Sequence, residues 1–257
     1  MIKELVSIIT PSYNSSKYIE ETIASVQSQT YTCWEMLITD DGSTDNSLEI
    51  IKEISNKDRR VNFFSINNSG PAVARNNSIK HAKGKYVAFL DSDDLWMPNK
   101  LALQIKFMVK NNFTFTFTSY MMIDEKSNII KNSLISSSHK ISYNDMLSEN
   151  SIGCLTAVYD QEKIGKIYMP NIRKRQDYGL WFKILKNEKF AYGMKESLAY
   201  YRIGQSSLSK NKFELIKWNW ILFHKVEKNS VIKSSYYLLL NIFNKVKKDI
   251  ILKKNTQ

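Results

Sequence analysis

Over its first hundred residues the chain alternates two hydrophobic periods. Short apolar runs at Leu5–Thr10, Trp34–Thr39, Val61–Ile66 and Tyr86–Leu90 have the length and β-branched or aromatic content of buried strands. Between them, near Ser16–Gln29, Thr44–Ile54 and Ala72–Ala82, apolar residues recur at helical spacing. A strand–helix alternation of this kind predicts an α/β fold: a Rossmann-like, mostly parallel sheet with helices on both faces. Further on, Lys100–Lys110 reads as a helix, and Phe113–Met122 and Asn128–Leu134 as strands of a more antiparallel section. Ser142–Glu149 reads as a short helix, Leu155–Tyr159 as a strand and Asp177–Leu185 as a helix with one apolar face. From about Lys212 the pattern is helical. Eight glycines and four prolines in 257 residues leave little room for linkers. One domain over residues 1–211 with a helical extension over 212–257 is expected.

The polar clusters fall where such a sheet places its active site, beyond the carboxyl ends of the strands. Pro11, Ser12, Tyr13 and Asn14 follow the first strand, Asp40 to Ser43 the second, and Asp91, Ser92, Asp93 and Asp94 the fourth. In an extended chain Asp91 and Asp93 point to one side. Two such carboxylates suit Mg²⁺ or Mn²⁺ shared with substrate phosphates, although a solvated acidic turn has the same sequence. The Asp40–Asp45 cluster equally fits capping of the next helix. The turn after the first strand has no glycine, and no GxxxxGK[ST] sequence occurs, which excludes a dinucleotide fold and a P-loop ATPase. There remains a site where Tyr13 stacks on a base, Asp41 accepts a base N–H and a metal pair holds a diphosphate.

A hydrophobic fraction of 43% describes a globular chain. The net charge of +12 is mostly lysine on presumed helix surfaces, but the tail stands out. From Lys225 to Gln257, eight lysines face two acids and are interleaved with Tyr236, Tyr237, Leu238–Leu240, Ile242, Phe243, Val246 and Ile250–Leu252, an apolar stripe at helical spacing. That pattern predicts contact with an anionic membrane surface; no nucleic-acid-binding signature appears. No stretch reaches the ~20 apolar residues of a membrane span, and the start lacks a signal-peptide pattern. Cys33 and Cys154 have no CxxC partner and read as reduced and buried. These features predict a cytoplasmic protein, peripheral on the inner membrane face.

The motifs VSIITPSYN (6–14), DDGSTD (40–45), ARN (74–76) and FLDSDD (89–94) stand in the order and approximate spacing of glycosyltransferase family 2. IGCLT (152–156), KRQDYGLW (174–181), YRIG (201–204) and SSLS (206–209) resemble a narrower group, the bacterial surface-polysaccharide transferases of teichuronic-acid and O-antigen type. The resemblance runs from about residue 5 to 225. It implies a GT-A fold and inverting transfer from a nucleotide-sugar, a UDP-sugar in the first place, to a lipid-diphosphate-linked saccharide. Carried over by position, it implies that Pro11 and Tyr13 frame the uracil and Asp41 binds its edge. Arg75 and Ser92 lie by the donor, Asp91 near ribose and metal, and Asp93 is the principal ligand of Mn²⁺ or Mg²⁺. Asp177 matches the catalytic base, although without the resemblance it reads as a helix N-cap. Arg202 matches a basic residue near the diphosphate. Two positions depart from the family pattern: Gln176 stands where glutamate is usual, and Gly204 and Gln205 stand where a histidine often follows Arg202. Trp96, after the metal motif, is a candidate for stacking on a sugar. Two rival readings are a nucleotidyltransferase making a nucleotide sugar and a catalytically silent nucleotide-sugar-binding protein.

Overall fold

The computed structural model describes residues 4–204 and 212–254. The strands β1 (Val6–Ser12), β2 (Trp34–Asp40), β3 (Val61–Ser65) and β4 (Tyr86–Phe89) are linked by the helices α1 (Ile19–Gln27), α2 (Ser47–Lys57) and α3 (Pro71–His81). They pair in parallel in the order β3-β2-β1-β4. β1, β2 and β4 are buried on both faces at their centres, as a covered parallel sheet requires, while the edge strand β3 is partly open. Alternate residues therefore supply two cores. Ile9, Leu37, Val87 and Phe89 face α3, while Val6, Ile8, Met36, Ile38 and Ala88 face α1 and α2. Gly84 opens β4 where β1 passes so close that a Cβ would lie 2.6 Å from the Leu5 carbonyl oxygen.

The second half completes one mixed sheet. It contains β5 (Leu95–Trp96), α4 (Lys100–Asn111), β6 (Phe115–Ile123), β7 (Lys140–Ile141), α5 (Tyr143–Ser148), β8 (Val158–Asp160), α6 (Gln161–Ile164), α7 (Gln176–Asn187) and β9 (Ala191–Arg202). The sheet continues β4-β8-β6-β9-β5, with β7 on β9. The β4–β8, β8–β6 and β9–β5 pairs are antiparallel, whereas β6–β9 is parallel. One sequence expectation fails here, and one strand has no counterpart in the sequence reading. Asn128–Leu134 is not a strand; it makes one isolated bridge, Ile123 to Ile129, with a second at Tyr120–Ile135 just beyond it. The Asp124 carboxylate accepts from the backbone N–H of Lys126 and Asn128, and Ser127 and Asn132 take positive φ, which folds the chain into a loop. Conversely, the long strand β9 has no clean alternation in sequence. Its register against β6 slips between Met194 and Ser197, so Lys195 and Glu196 bulge outward, exposed.

The C-terminal part comprises α8 (Lys212–Trp220), a π-helical turn (Ile221–Val226) and α9 (Val231–Lys254). It packs on the α3 side of the sheet. Leu222 and Phe223 join the core formed by α5 and α7, and Asn241 and Asn244 donate to the carbonyls of Leu147 and Ser148. The division expected at 211/212 adjoins residues outside the description, as do Gln205 and the SSLS motif. Cys33 and Cys154 form no disulfide and are half-buried rather than buried. Trp96 is core: it is 2% exposed, and its indole N–H donates to the Leu155 carbonyl.

Under that indole lies a charge with no carboxylate partner among the described residues. Lys100 is fully buried, donates to Gln104 Oε1 at 2.7 Å and sits 4.1 Å from the Trp96 ring centroid. Burial pushes its amine down to about 7, from 10.5. Between these values the unfolded chain holds a proton that the folded chain gives up, so stability climbs with pH through that window. Lys100→Met is expected to raise the melting temperature by roughly 5 °C at pH 7. The gain should shrink as the pH rises from 7 towards 10.5 and vanish only above it, where the unfolded lysine too has lost its proton. Thermal melts across that range check it.

Candidate active site

Three loops at the carboxyl edge of the parallel strands build the site. After β1, Tyr13 is half exposed, and Asn14 turns the chain at φ 47°. The Asn14 side-chain oxygen accepts from Thr44 N at 2.8 Å, tying this loop to the one after β2. There the three aspartates divide their work. Asp40 accepts from the backbone N–H of Ser43 at 3.0 Å. Asp45 accepts from Ser47 N and Ser16 N at 3.0 and 3.1 Å, and hydroxyl and N–H bonds outweigh burial to draw it down to about 2. Both brace the turns ahead of α2, whose N-cap position is Asn46 and carries no side-chain cap bond. Asp41 differs. It is 4% exposed, and its oxygens accept from Ser69 N at 2.7 Å and Gly70 N at 2.8 Å. Gly70, at φ 94°, leads into Pro71 at the start of α3, so Asp41 also anchors that helix. Each carboxylate oxygen keeps a second lone pair for a ligand.

After β4, Asp91 meets Arg75 of α3 at 2.5 Å. Arg75 is 7% exposed, and its Nε and Nη1 groups are buried with no partner. Burial works against its charge, but Asp91 and, farther off, Asp177 outweigh it and hold the guanidinium above its ordinary value. A buried cation with N–H groups still to satisfy is a ready anion site. Asp93 reaches solvent, yet restricted hydration and the neighbouring Asp91 push it up to about 6. Asp94 is 1% exposed, and burial followed by repulsion from Asp93 and Asp91 pushes it well up.

Arg202 does not reach the cleft lining. Its backbone N–H donates to Asp94 Oδ1, its Nε to the Asp93 carbonyl, its Nη1 to the Asp124 carbonyl and Ser127 Oγ, and its Nη2 to Glu21. The guanidinium, which stacks on Tyr18, is thus spent in holding the Asp93–Asp94 turn from behind.

Two cavities adjoin at this edge. The larger, about 890 Å³, is lined by Pro11, Tyr13, Asp41, Arg75, Asp91, Ser92 and Asp93, which are the expected donor and metal residues apart from Arg202. The smaller, about 410 Å³, holds Asp177 with Asp94, Asn150, Cys154, Arg175 and Gln176. Arg75, Asp91, Arg173 and Tyr201 line both. Asp177 lies in the first turn of α7, where Arg175 rather than Asp177 takes the N-cap position. Burial raises the Asp177 carboxyl, opposed by the Tyr178 N–H and by Arg175 and Arg75. Tyr201 and Asn150 carried no assignment in the sequence; only their convergence from distant elements reveals them.

A GT-A sheet with an acidic loop beside a deep, cation-lined cleft defines a class, the nucleotide-sugar-dependent transferases. The family model for Glycosyl transferase family 2 matches residues 7–231, and the chain belongs to that family. Among its relatives is TuaG of Bacillus subtilis (strain 168), named as a proposed teichuronic acid biosynthesis glycosyltransferase. It is 42% identical over 247 residues, 96% of this chain and 98% of that one. Another is WfgD of Escherichia coli, a UDP-Glc:alpha-D-GlcNAc-diphosphoundecaprenol beta-1,3-glucosyltransferase. It is 40% identical over 253 residues, 98% of this chain and 97% of that one. The fold matches the crystal structure of S. aureus TarS 1–349 with UDP-GlcNAc at a TM-score of 0.70 and 20% identity, covering 90% of this chain and 69% of that one. The nucleotidyltransferase expectation gives way to this membership.

Proposed function

We propose that the chain transfers a sugar from a UDP-sugar to a saccharide carried on a lipid diphosphate, with inversion, in the synthesis of a bacterial surface polysaccharide. The observation that carries this reading is that the two cavities meet at Arg75 and Asp91, with Asp177 in the smaller. The substrates in the name of WfgD support it. In the larger cavity Pro11 and Tyr13 frame the base, and the free lone pairs of Asp41 take its N–H. The unpartnered N–H groups of Arg75 take diphosphate oxygens as the sugar leaves. Asp177 takes the proton of the acceptor hydroxyl as the new bond forms. Because donor and acceptor occupy separate cavities, attack comes from the side opposite the leaving group, and an α-linked donor yields a β-linked product.

Asp91 and Asp93 would hold a Mg²⁺ or Mn²⁺ ion, and the residues present fit one. Their oxygens are hard donors, and burial followed by the neighbouring Asp91 raises the Asp93 carboxyl, both of which a bound cation would offset. Among the described residues no three acidic, histidine or cysteine side chains converge on a metal position. The protein would thus supply two carboxylates and leave the other positions to phosphate oxygens and water. Such an ion neutralises charge on the departing diphosphate. Arg202 serves this set by fixing the turn that carries it.

Slow hydrolysis tests the reading. Across a panel of nucleotide sugars with Mn²⁺, one UDP-sugar should release UDP without acceptor; silence with every member would sink the assignment and leave the silent-binder alternative.

No helix among the described residues is long and apolar enough to cross a membrane. Contact with a lipid-borne substrate then falls to α9. Tyr237 and Leu238 pack inward, while Ile232, Tyr236, Leu239, Phe243 and Val246 point out, between 51% and 83% exposed. Their spacing of four and three places them on one stripe, flanked by Lys233 and Lys247. We infer that this stripe seats the enzyme on the anionic inner face of the cytoplasmic membrane. Wild-type protein should float with phosphatidylglycerol vesicles and less with phosphatidylcholine alone, and Leu239→Asp with Phe243→Asp should abolish flotation. Self-association without vesicle binding would assign the stripe to a second copy instead.

A further inference from the structure

The mechanism leaves one group of cations unused. Arg173, Lys174 and Arg175 all line the smaller cavity, next to Asp177. Lys174 is committed elsewhere: it is 8% exposed and pairs with Glu214 of α8 at 2.6 Å. Among the described residues, Arg173 and Arg175 form no ion pair of this kind. The Arg175 Nε is buried without a partner, while the residue as a whole stays partly open to the cavity. Its backbone is held at φ 66°, ψ 18°, a left-handed conformation that costs a non-glycine residue energy. That conformation turns the chain into α7 and sets Arg175 two positions before Asp177, within ~7 Å along the backbone.

We propose that Arg175, with Arg173 at the shared rim, binds the diphosphate that joins the acceptor saccharide to its lipid. The inference rests on the glycosyltransferase reading and adds what holds the acceptor. A disubstituted diphosphate carries two negative charges, and two guanidiniums match both the charge and the oxygen geometry. When the reacting hydroxyl is at Asp177, the anomeric diphosphate lies one sugar away, and Arg175 lines the same cavity two positions before Asp177. The donor has its own cation in Arg75. Arg175 lines only the smaller cavity, so it belongs to the acceptor. Asn150, whose buried Oδ1 lacks a partner, and Tyr201 line the space between for the sugar itself.

The test uses the full chain and two soluble probes: N-acetylglucosamine joined through a diphosphate to a short alkyl chain, and the same sugar and chain joined by a plain glycosidic oxygen. Titration calorimetry without donor should show the diphosphate probe binding wild type well above the glycoside. Arg175→Asn, which tolerates the left-handed backbone, should weaken the diphosphate probe about tenfold or more, the scale of one charge-assisted hydrogen bond. Arg175→Lys should fall between. Binding of the glycoside and of UDP should stay unchanged in both variants, and thermal melts should show a folded protein. Equal binding of the two probes to wild type, or equal losses on both probes in Arg175→Asn, overturns the proposal. Loss of UDP binding in Arg175→Asn moves the residue to the donor and overturns it too. Nucleotide-sugar hydrolysis by wild type, measured alongside, separates these failures from failure of the transferase reading.

Discussion

Replacing Asp177 by asparagine should lower kcat about 10²–10⁴-fold, the usual contribution of a positioned general base, while UDP binding stays as in wild type. The side chain keeps its size, and the larger cavity, where the donor is proposed to sit, does not include it. What disappears is the acceptor of a proton. Burial raises the Asp177 carboxyl and nearby Arg175 and Arg75 oppose that rise, so wild-type turnover should climb with pH as the carboxyl ionises. The variant's residual rate should lack that limb. Rate profiles for the two proteins under saturating donor, with UDP titrations beside them, check both parts. Wild-type turnover in Asp177→Asn would remove the base assignment.

Asp93→Ala should strike the other cavity. UDP affinity in the presence of Mn²⁺ should fall about tenfold or more, equivalent to ~1.4 kcal/mol or more. Affinity in chelator should change little or improve, because without the ion Asp93 only adds negative charge beside the bound diphosphate. Calorimetric titrations of UDP with and without Mn²⁺ separate the two effects without any turnover. If wild type binds UDP equally well with and without the ion, the metal role of Asp91 and Asp93 is lost, while Arg75 still accounts for anion binding.

The parallel half of the fold was readable because each strand is a short, largely apolar run followed by a polar turn. Tyr86–Phe89 running into Asp91–Asp94 shows this best. The edge of the second half was not. Strand β9 hides behind the Lys195–Glu196 bulge, and the Asn128–Leu134 run looks extended until the Asp124 carboxylate folds it back. At the site, residue type and strand-end position pointed to Asp41, Asp91 and Asp93. Asp177 was found only through family resemblance, since a lone aspartate at a helix start has many structural uses. The placement of Arg202 depends on Glu21, Asp124 and Ser127 arriving from distant segments, which no local pattern encodes. The two faces of α9 were likewise merged in sequence, because Tyr236, Tyr237, Leu238 and Leu239 are consecutive and only packing against α5 and α7 sorts them.

The geometry of the product tests the central claim most directly. With an α-linked UDP-sugar and an N-acetylglucosamine diphosphate lipid, the anomeric proton of the new linkage, read by NMR, should show the large coupling of a β-glucoside when the donor is UDP-glucose. An α-linkage would mean that the acceptor does not approach from the Asp177 side, and the two-cavity account would be wrong.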